Sequence, residues 1–342
     1  MTAPVVINAR AAVRTEIGGV ERMAREMASR LPALRPERYR IVRPPAGLAH
    51  KAGHAWEQLA LPLLSRGCRL IYSPANLAPV ASARNVVVIH DAAPMRHPQA
   101  YSGPYRAYHR ALLAVLVLRA CLLVTVSEFS RRELVEVLGA DPGRVRVIPG
   151  GVDQRFSADG ARLPRGAYGL TGPYVLVVGT ASERKNLGVL GPASRALAGR
   201  GAELVLAGSD RGYLRGAHIP LRRLGYVADE DLPALYRGAL GLVLPSRYEG
   251  FGLPCLEAMA SGVPVVASSS GALPETVGEA GMLISPDDAR GFAEAVLAAA
   301  FDDDHRERLI ESGHRRAAEF TWTRTAEKTD GAIAEVLEGR LH

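Results

Sequence analysis

The sequence predicts an α/β protein made of two doubly wound, parallel-sheet domains that follow one another and face a cleft. Three observations point there. Short aliphatic and β-branched runs alternate with helix-length segments along the whole chain. Hydrophobic residues make up 48% of the 342 positions and aromatics only 6%, a mix that suits buried parallel strands under covering helices. The alternation then restarts after "DQRFSADGARLPRGAYGLTG" (153–172), a Gly-rich, polar stretch that reads as a linker and hinge.

The elements follow in order. "PVVINA" (4–9) is a strand, followed by a helix from about Gly19 to Leu31. Further strands are "RLIYS" (69–73), "NVVVIHD" (85–91), "LLVTVS" (122–127) and "RVRVIPGGVD" (144–153), with a helix over 128–139 that Ser127 would cap. The second series is "YVLVVG" (174–179), "ELVLAG" (203–208), "LGYV" (224–227), a helix over 229–239, "LGLVLPS" (240–246), "VPVVAS" (263–268) and "GMLIS" (281–285). The expected domains are 1–160 and 161–320, and a terminal helix within 321–342 is expected to cross back to the first.

Bulk properties narrow the partners. The net charge of +7 favours an anionic partner such as a phosphorylated metabolite or anionic lipid, although a basic soluble surface explains it as well. The Arg residues are scattered and carry no nucleic-acid motif, so no nucleic acid is expected. The run "ALLAVLVLRACLLVTV" (111–126) is interrupted by Arg119 and is too short for a membrane span. It reads as a buried helix followed by a buried strand. Three widely spaced cysteines, Cys68, Cys121 and Cys255, read as buried free thiols in a reducing compartment. The start "MTAPVVINAR" shows no basic-then-apolar leader, which suggests a cytoplasmic protein.

The segment "PSRYEGFGLPCLEAMASGVPVVAS" (245–268) carries the chemistry. A strand ends near Pro245, a glycine-containing turn follows, and Pro254 suits the first turn of a helix. The N–H groups at such a helix start attract an anion. Gly250 and Gly252 allow a close backbone approach. Glu257 on the helix can accept two hydrogen bonds from a diol, and Glu249 lies on the other side of the bound group. Diols flanking a phosphate describe a nucleotide sugar. The alternative is a solvent-exposed Glu249 with a merely helix-stabilising Glu257.

This segment resembles the E-x7-E motif of the retaining glycosyltransferases of GT-B fold, glycosyltransferase family 4, whose two domains are Rossmann-like. "GALPETVGEAGMLISPDD" (271–288), "VVGTASERKN" (177–186), "LVLAGSDRG" (204–212), "GYVADEDLPALYRGA" (225–239), "TVSEFSRREL" (125–134), "VIHD" (88–91) and "IGGVER" (17–22) extend the likeness over most of the chain.

The resemblance implies a role for each matching residue. Glu257 would bind the ribose hydroxyls and Glu249 a donor-sugar hydroxyl. The N–H groups of Phe251, Gly252 and Leu253 would hold the sugar and diphosphate. Arg184 and Lys185 would neutralise the leaving diphosphate without a metal; the plainer reading is a solvated basic turn. Gly18 and Gly19 would touch the diphosphate, or form a plain tight turn. The backbone at Tyr226 and Val227 would meet the base. His90 would contact the donor sugar, or serve only as a satisfied structural histidine. Ser127 and Ser130 border the same cleft.

The resemblance also implies an activity: transfer of a hexose from a nucleotide diphosphate to an acceptor hydroxyl, with no cofactor and no metal. GDP-mannose is the favoured donor and a UDP-hexose the second. The acceptor would be a glycan or polyprenyl-linked glycan, a lipopolysaccharide intermediate or a small molecule, with peripheral contact at an anionic membrane. Two rival classes are a non-catalytic nucleotide-sugar-binding partner and a sugar-nucleotide epimerase. Two metal-like patterns read as decoys. The D-x-D of "FDDDH" (301–305) follows a helix instead of a strand, and the His pair of "HKAGH" (50–54) lacks a third ligand.

Overall fold

The computed structural model describes residues 4–45, 48, 52–164, 166–208 and 221–340. The chain forms two compact units, one of residues 1–96, 104–151 and 322–342 and one of residues 97–103 and 152–321.

The first unit holds strands β1 (Val5–Asn8), β2 (Tyr39–Val42), β3 (Leu70–Ser73), β4 (Asn85–Val88), β5 (Leu122–Thr125) and β6 (Val145–Val147). Every pairing is parallel, and the order is β2-β1-β3-β4-β5-β6. Its helices are α1 (Gly19–Leu34), α2 (Gly53–Leu64), the single turn α3 (Ala93–Arg96), α4 (Gly103–Arg119) and α5 (Glu128–Leu138). Register places Val6, Ile71, Val87, Leu123 and Val145 on one sheet face. Trp56 and Leu61 of α2 pack against Val6 and Ile71, and Leu113 and Leu116 of α4 against Val87 and Leu123. The sequence reading passed over β2 and α2. β2 is four residues long with two exposed side chains, Arg40 and Ile41, so its apolar run is short.

The second unit holds β7 (Tyr174–Val178), β8 (Glu203–Ala207), β9 (Arg222–Gly225), β10 (Gly241–Leu244), β11 (Val265–Ser268) and β12 (Met282–Ile284). They are parallel in the order β12-β11-β10-β7-β8-β9. Helices α6 (Gly191–Ala198), α7 (Leu232–Gly238), α8 (Leu253–Ala260), α9 (Leu273–Val277), α10 (Ala289–Phe301) and α11 (Asp303–Ala318) complete it. The last helix, α12 (Trp322–Leu337), belongs to the first unit, where Asp330 Oδ1 accepts from Tyr39 Oη and Arg38 Nη1, both at 2.6 Å.

Several expected boundaries move for physical reasons. The β-branched run from Asn85 leaves the ladder after Val88, because His90 N–H turns to the Asn76 side chain at 2.8 Å. The pairing of β9 covers Arg222–Gly225 instead of 224–227, which puts Tyr226 and Val227 just past the strand. In the stretch expected as the linker, Phe156 and Leu170 are buried in the core of the second unit, and Tyr168 Oη donates to Asp231 at 2.6 Å. Of the three cysteines, Cys68 and Cys255 are buried, but Cys121 is only half-buried, because it precedes β5 at the amino end of the sheet. Asp302 caps α11 by accepting from His305 N–H at 3.0 Å, and that accounts for the acidic turn. His50 and Lys51, and residues 209–212 of the family-like segment, lie outside the described residues.

Candidate active site

In the second unit, β7 and β10 are the neighbours at which strand order reverses. Open parallel sheets take ligands beyond the carboxyl ends of such a pair. The segments leaving those two ends carry the candidate donor-site residues.

The chain leaving β7 turns at Gly179, whose φ is +135°. A Cβ there would lie 3.1 Å from Lys185 Nζ, so the glycine makes room for the ammonium. One 3-10 turn, Glu183–Lys185, follows and ends at Asn186, a non-glycine residue held at φ +53°. The Asn186 amide donates to the carbonyls of Pro245 (3.1 Å) and Pro286 (2.7 Å), which compensates that backbone. Arg184 is thereby placed to donate from Nη1 to Tyr248 O at 3.0 Å, while Arg247 N–H donates to Arg184 O at 2.8 Å.

The chain leaving β10 delivers Glu249. Its Oε1 accepts from Lys185 Nζ and, at 2.7 Å, from Ser246 Oγ; Arg184 Nη1 stands 3.6 Å from Oε2. Glu249 is 9% exposed and Lys185 7%, so neither the solvent-exposed glutamate nor the solvated basic turn describes this chain. Burial alone would raise the Glu249 pKa. The Lys185 ammonium and Arg184 guanidinium outweigh it and hold the carboxyl below its ordinary value. Burial, joined by Arg184, pulls the Lys185 pKa down while Glu249 offsets part of that fall. The pair is packed from above by Gly271, at φ +63°, where a Cβ would meet Glu249 N at 2.7 Å and O at 2.8 Å.

Gly252, at φ +99°, starts α8, and a Cβ there would strike Leu273 Cδ2 at 2.7 Å. Helix geometry leaves first-turn N–H groups without intrahelical acceptors, and Leu253 begins that turn. Thr276 Oγ1 donates to Phe251 O, which fixes the turn from the side of α9. Glu257 lies one turn on, 3% exposed, and its Oε2 accepts from Tyr236 Oη of α7 at 2.9 Å. Tyr226 is 40% exposed while Val227 is buried in the core, so Val227 can offer a ligand only its backbone.

The first unit positions the remaining candidates. Gly18 precedes α1 and its N–H donates to Glu21 at 3.1 Å, while Arg14 pairs with Glu21 at 3.1 Å. A Cβ on Gly19 would meet nothing within 4 Å, so packing does not demand glycine there. His90 is held by three contacts: its N–H to Asn76, its carbonyl accepting from Ser130 Oγ at 2.9 Å, and its Nε2 against Pro74 O at 3.1 Å. A carbonyl only accepts, so Nε2 carries the proton and Nδ1 keeps a lone pair. Burial lowers the His90 pKa, which favours this neutral form. Ser127 Oγ accepts from Ser130 N–H at 3.0 Å, the cap expected of it.

Sequence reasoning missed Ser246, Tyr236 and Asn186. Tyr236 meets Glu257 only through folding, whereas Ser246 stands three positions before Glu249 and its spacing was the one available signal. Asn186 gave one signal, an Asn following a short polar turn, a residue that tolerates left-handed backbone.

Known proteins resemble the chain in sequence and in fold. Residues 172–302 match the family described as Glycosyl transferases group 1, and residues 70–156 match Glycosyltransferase Family 4. The chain is 32% identical over 288 residues to O-antigen chain mannosyltransferase B of Escherichia coli, covering 77% of this chain and 73% of that protein. Sucrose-phosphate synthase from Thermosynechococcus elongatus superposes with a TM-score of 0.76 at 20% identity, over 99% of this chain and 100% of that one. Anabaena HepE, solved in complex with UDP and glucose, superposes with a TM-score of 0.73 at 17% identity, over 97% of this chain and 100% of that one. Two six-stranded parallel sheets of the GT-B type and a relative this similar over most of both chains lead to one conclusion: the protein belongs to glycosyltransferase family 4, the group 1 glycosyltransferases.

Proposed function

We propose that the protein transfers mannose from GDP-mannose to an acceptor hydroxyl in polysaccharide or glycolipid assembly, with retained anomeric configuration and without a metal. The observation that carries the donor site is the cation pair of half-buried Arg184 and buried Lys185, set against Glu249 at the carboxyl ends of β7 and β10. Fixed cations there stabilise the charge that develops on a departing diphosphate. In this reading Glu257 takes the ribose hydroxyls and Glu249 a hydroxyl of the donor sugar. The backbone of Phe251, Gly252 and Leu253 holds the phosphates and sugar, and that of Tyr226 and Val227 meets the base. The resemblance assigns Gly18 and Gly19 to the diphosphate and His90 to the donor sugar, and the Nδ1 lone pair of His90 is free of the Pro74 contact to accept from a hydroxyl. The acceptor oxygen attacks on the face from which the diphosphate leaves, and the leaving phosphate takes the acceptor proton.

The mannosyl preference is supported by the Escherichia coli relative, a mannosyltransferase by name. A UDP-hexose donor is the second reading, favoured by the UDP and glucose held in HepE. Thermal shift with GDP, UDP, ADP and dTDP, followed by release of the nucleotide from its sugar conjugates, decides between them. A shift with GDP and slow hydrolysis of GDP-mannose supports the first reading. The same pattern with UDP moves the assignment to the second. No shift with any nucleotide overturns both.

A further inference from the structure

The stretch at 153–172 reads as a linker, yet its side chains are built into the second unit beside the turn 226–231, which joins β9 to α7. β9 is the edge of its sheet, and Arg222 and Arg223 stand exposed on it. A turn leaving an edge strand has ladder support on one side only and opens more readily than one between central strands. Backbone groups that read a base need the reverse, because a hydrogen bond weakens steeply with misalignment. Groups from outside the sheet have to hold that turn.

Arg155 and Tyr168 do so. Arg155 Nη1 donates to Asp229 O at 2.7 Å, and Nη2 stands 2.6 Å from Asp229 Oδ2, so one guanidinium takes both the backbone and the carboxylate of the same residue. The fork is itself oriented. Asp153 Oδ1 accepts from Arg155 N–H at 3.1 Å, Asp153 Oδ2 lies 3.5 Å from Nε, and the guanidinium stands over the Phe156 ring at 5.1 Å. Phe156 is buried and meets Tyr236 edge to face at 5.7 Å, which anchors this part of the segment. Tyr168 holds both ends of the turn. Its Oη donates to Asp231 Oδ2 at 2.6 Å and accepts from Ala228 N–H at 3.4 Å. The Asp231 contact raises the phenol's pKa, so Tyr168 stays a donor. Its backbone sits at φ +55°, between Gly166 at +85° and Gly169 at +74°. A tyrosine in left-handed backbone is strained, and the strain is kept where the phenol meets the turn.

We propose that Arg155 and Tyr168 are positioning residues for the nucleobase: they hold the turn 226–231 in the arrangement in which the backbone of Tyr226 and Val227 matches the base, and so set how sharply nucleotides are told apart. The inference deepens the donor-site reading above and rests on it. Lys185 and Glu249 are held by other contacts, on the segments leaving β7 and β10. Loosening the turn therefore weakens donor binding and discrimination while leaving the transfer step alone. Arg237 supplies the contrast. It also ties to the segment, its Nε donating to Ala161 O at 2.9 Å, but from the far end of α7.

The test is isothermal titration of GDP, UDP, ADP and dTDP into the full chain and into its Tyr168→Phe, Arg155→Gln and Arg237→Gln variants. Wild type is expected to prefer one nucleotide. In Tyr168→Phe and Arg155→Gln the Kd for that nucleotide is expected to rise on the order of tenfold, what one well-made hydrogen bond is worth. The Kd values for the other nucleotides should barely move, so the preference narrows. The KM for the donor should rise in step, with turnover at saturating donor unchanged. Arg237→Gln is expected to keep the wild-type preference. A merely structural role would weaken every nucleotide alike, and that result overturns the proposal, as does an equal loss of preference in Arg237→Gln. A preference that both Tyr168→Phe and Arg155→Gln retain overturns this inference alone. Wild type that binds no nucleotide, or all of them alike, overturns the reading of the base contact and this inference with it.

Discussion

Glu249 and Glu257 sit eight positions apart in one motif, yet the fold treats them as different chemical objects. Glu249 is buried in a cation pair, with Lys185 on one oxygen and Arg184 near the other. Glu257 is as deeply buried but takes a phenol, Tyr236 Oη, at 2.9 Å. The first arrangement stores mutual charge that neither partner can lose alone. The second sets a buried carboxylate against a phenol donor on Oε2. The difference teaches that one motif builds two environments, a charge-paired carboxylate and one that meets a phenol; in the donor site proposed above, the first would face the leaving group and the second would read hydroxyls.

The strongest way to break that distinction is to remove one member of the charged pair. Lys185→Ala leaves a buried carboxylate unmatched and is expected to cost about 3–5 kcal/mol in urea unfolding as well as nearly all transfer. The double variant Lys185→Met/Glu249→Leu is expected to regain most of that stability with no activity. If the single variant unfolds like wild type, the pair is not the charged device described. Next in size, Gly271→Ala forces a Cβ onto the Glu249 backbone at a left-handed φ. It is expected to destabilise by at least about 2 kcal/mol and to lower the turnover number in step.

Glu257→Gln should behave differently. It keeps an acceptor for Tyr236, so stability is expected to change by about 1 kcal/mol or less. The KM for the donor should rise about tenfold to a hundredfold, since a charged acceptor for hydroxyls is worth roughly 1.5–3 kcal/mol. Steady-state kinetics with unchanged KM would remove Glu257 from the donor site.

A pH series sharpens the comparison further. The folded pKa of Glu249 lies below its ordinary value. Its contribution is therefore full above the unfolded pKa, about 4.5, and is lost as pH falls through the folded pKa. Glu249→Gln is expected to be less stable at neutral pH yet to lose less on acidification, as read by melting temperature across that window. The smallest effect is expected at Gly19→Ala. With open space around the added Cβ, stability should stay level or rise by roughly 0.5–1 kcal/mol. Transfer is expected to fall if the diphosphate approaches that backbone, and undiminished transfer would leave Gly19 a plain helix start.

The legible parts of the molecule were those with local signals. Alternating aliphatic runs announced both sheets, because a parallel strand buried on two faces needs apolar residues throughout. The glycines and Pro254 announced the turn into α8, since only those residues ease that backbone. β2 stayed hidden because half its side chains face water, and α2 because an apolar outer face erases the helical period. The strand expected over 224–227 lies two residues too late, since the ladder of β9 ends at Gly225, opposite Ala207 at the end of β8.

The sequence by itself determined the α/β class, most of the strand segments and the motif that carries Glu249 and Glu257, since these rest on residue type and spacing within a few positions. Only the tertiary structure decided what each glutamate meets. Lys185 reaches Glu249 from the segment leaving β7, and Tyr236 reaches Glu257 from α7. It also decided that Leu59 and Leu118 lie exposed on neighbouring helices. Those are contacts and surfaces between segments distant in the chain, and they exist only once the parallel sheets have brought their strand ends and covering helices side by side.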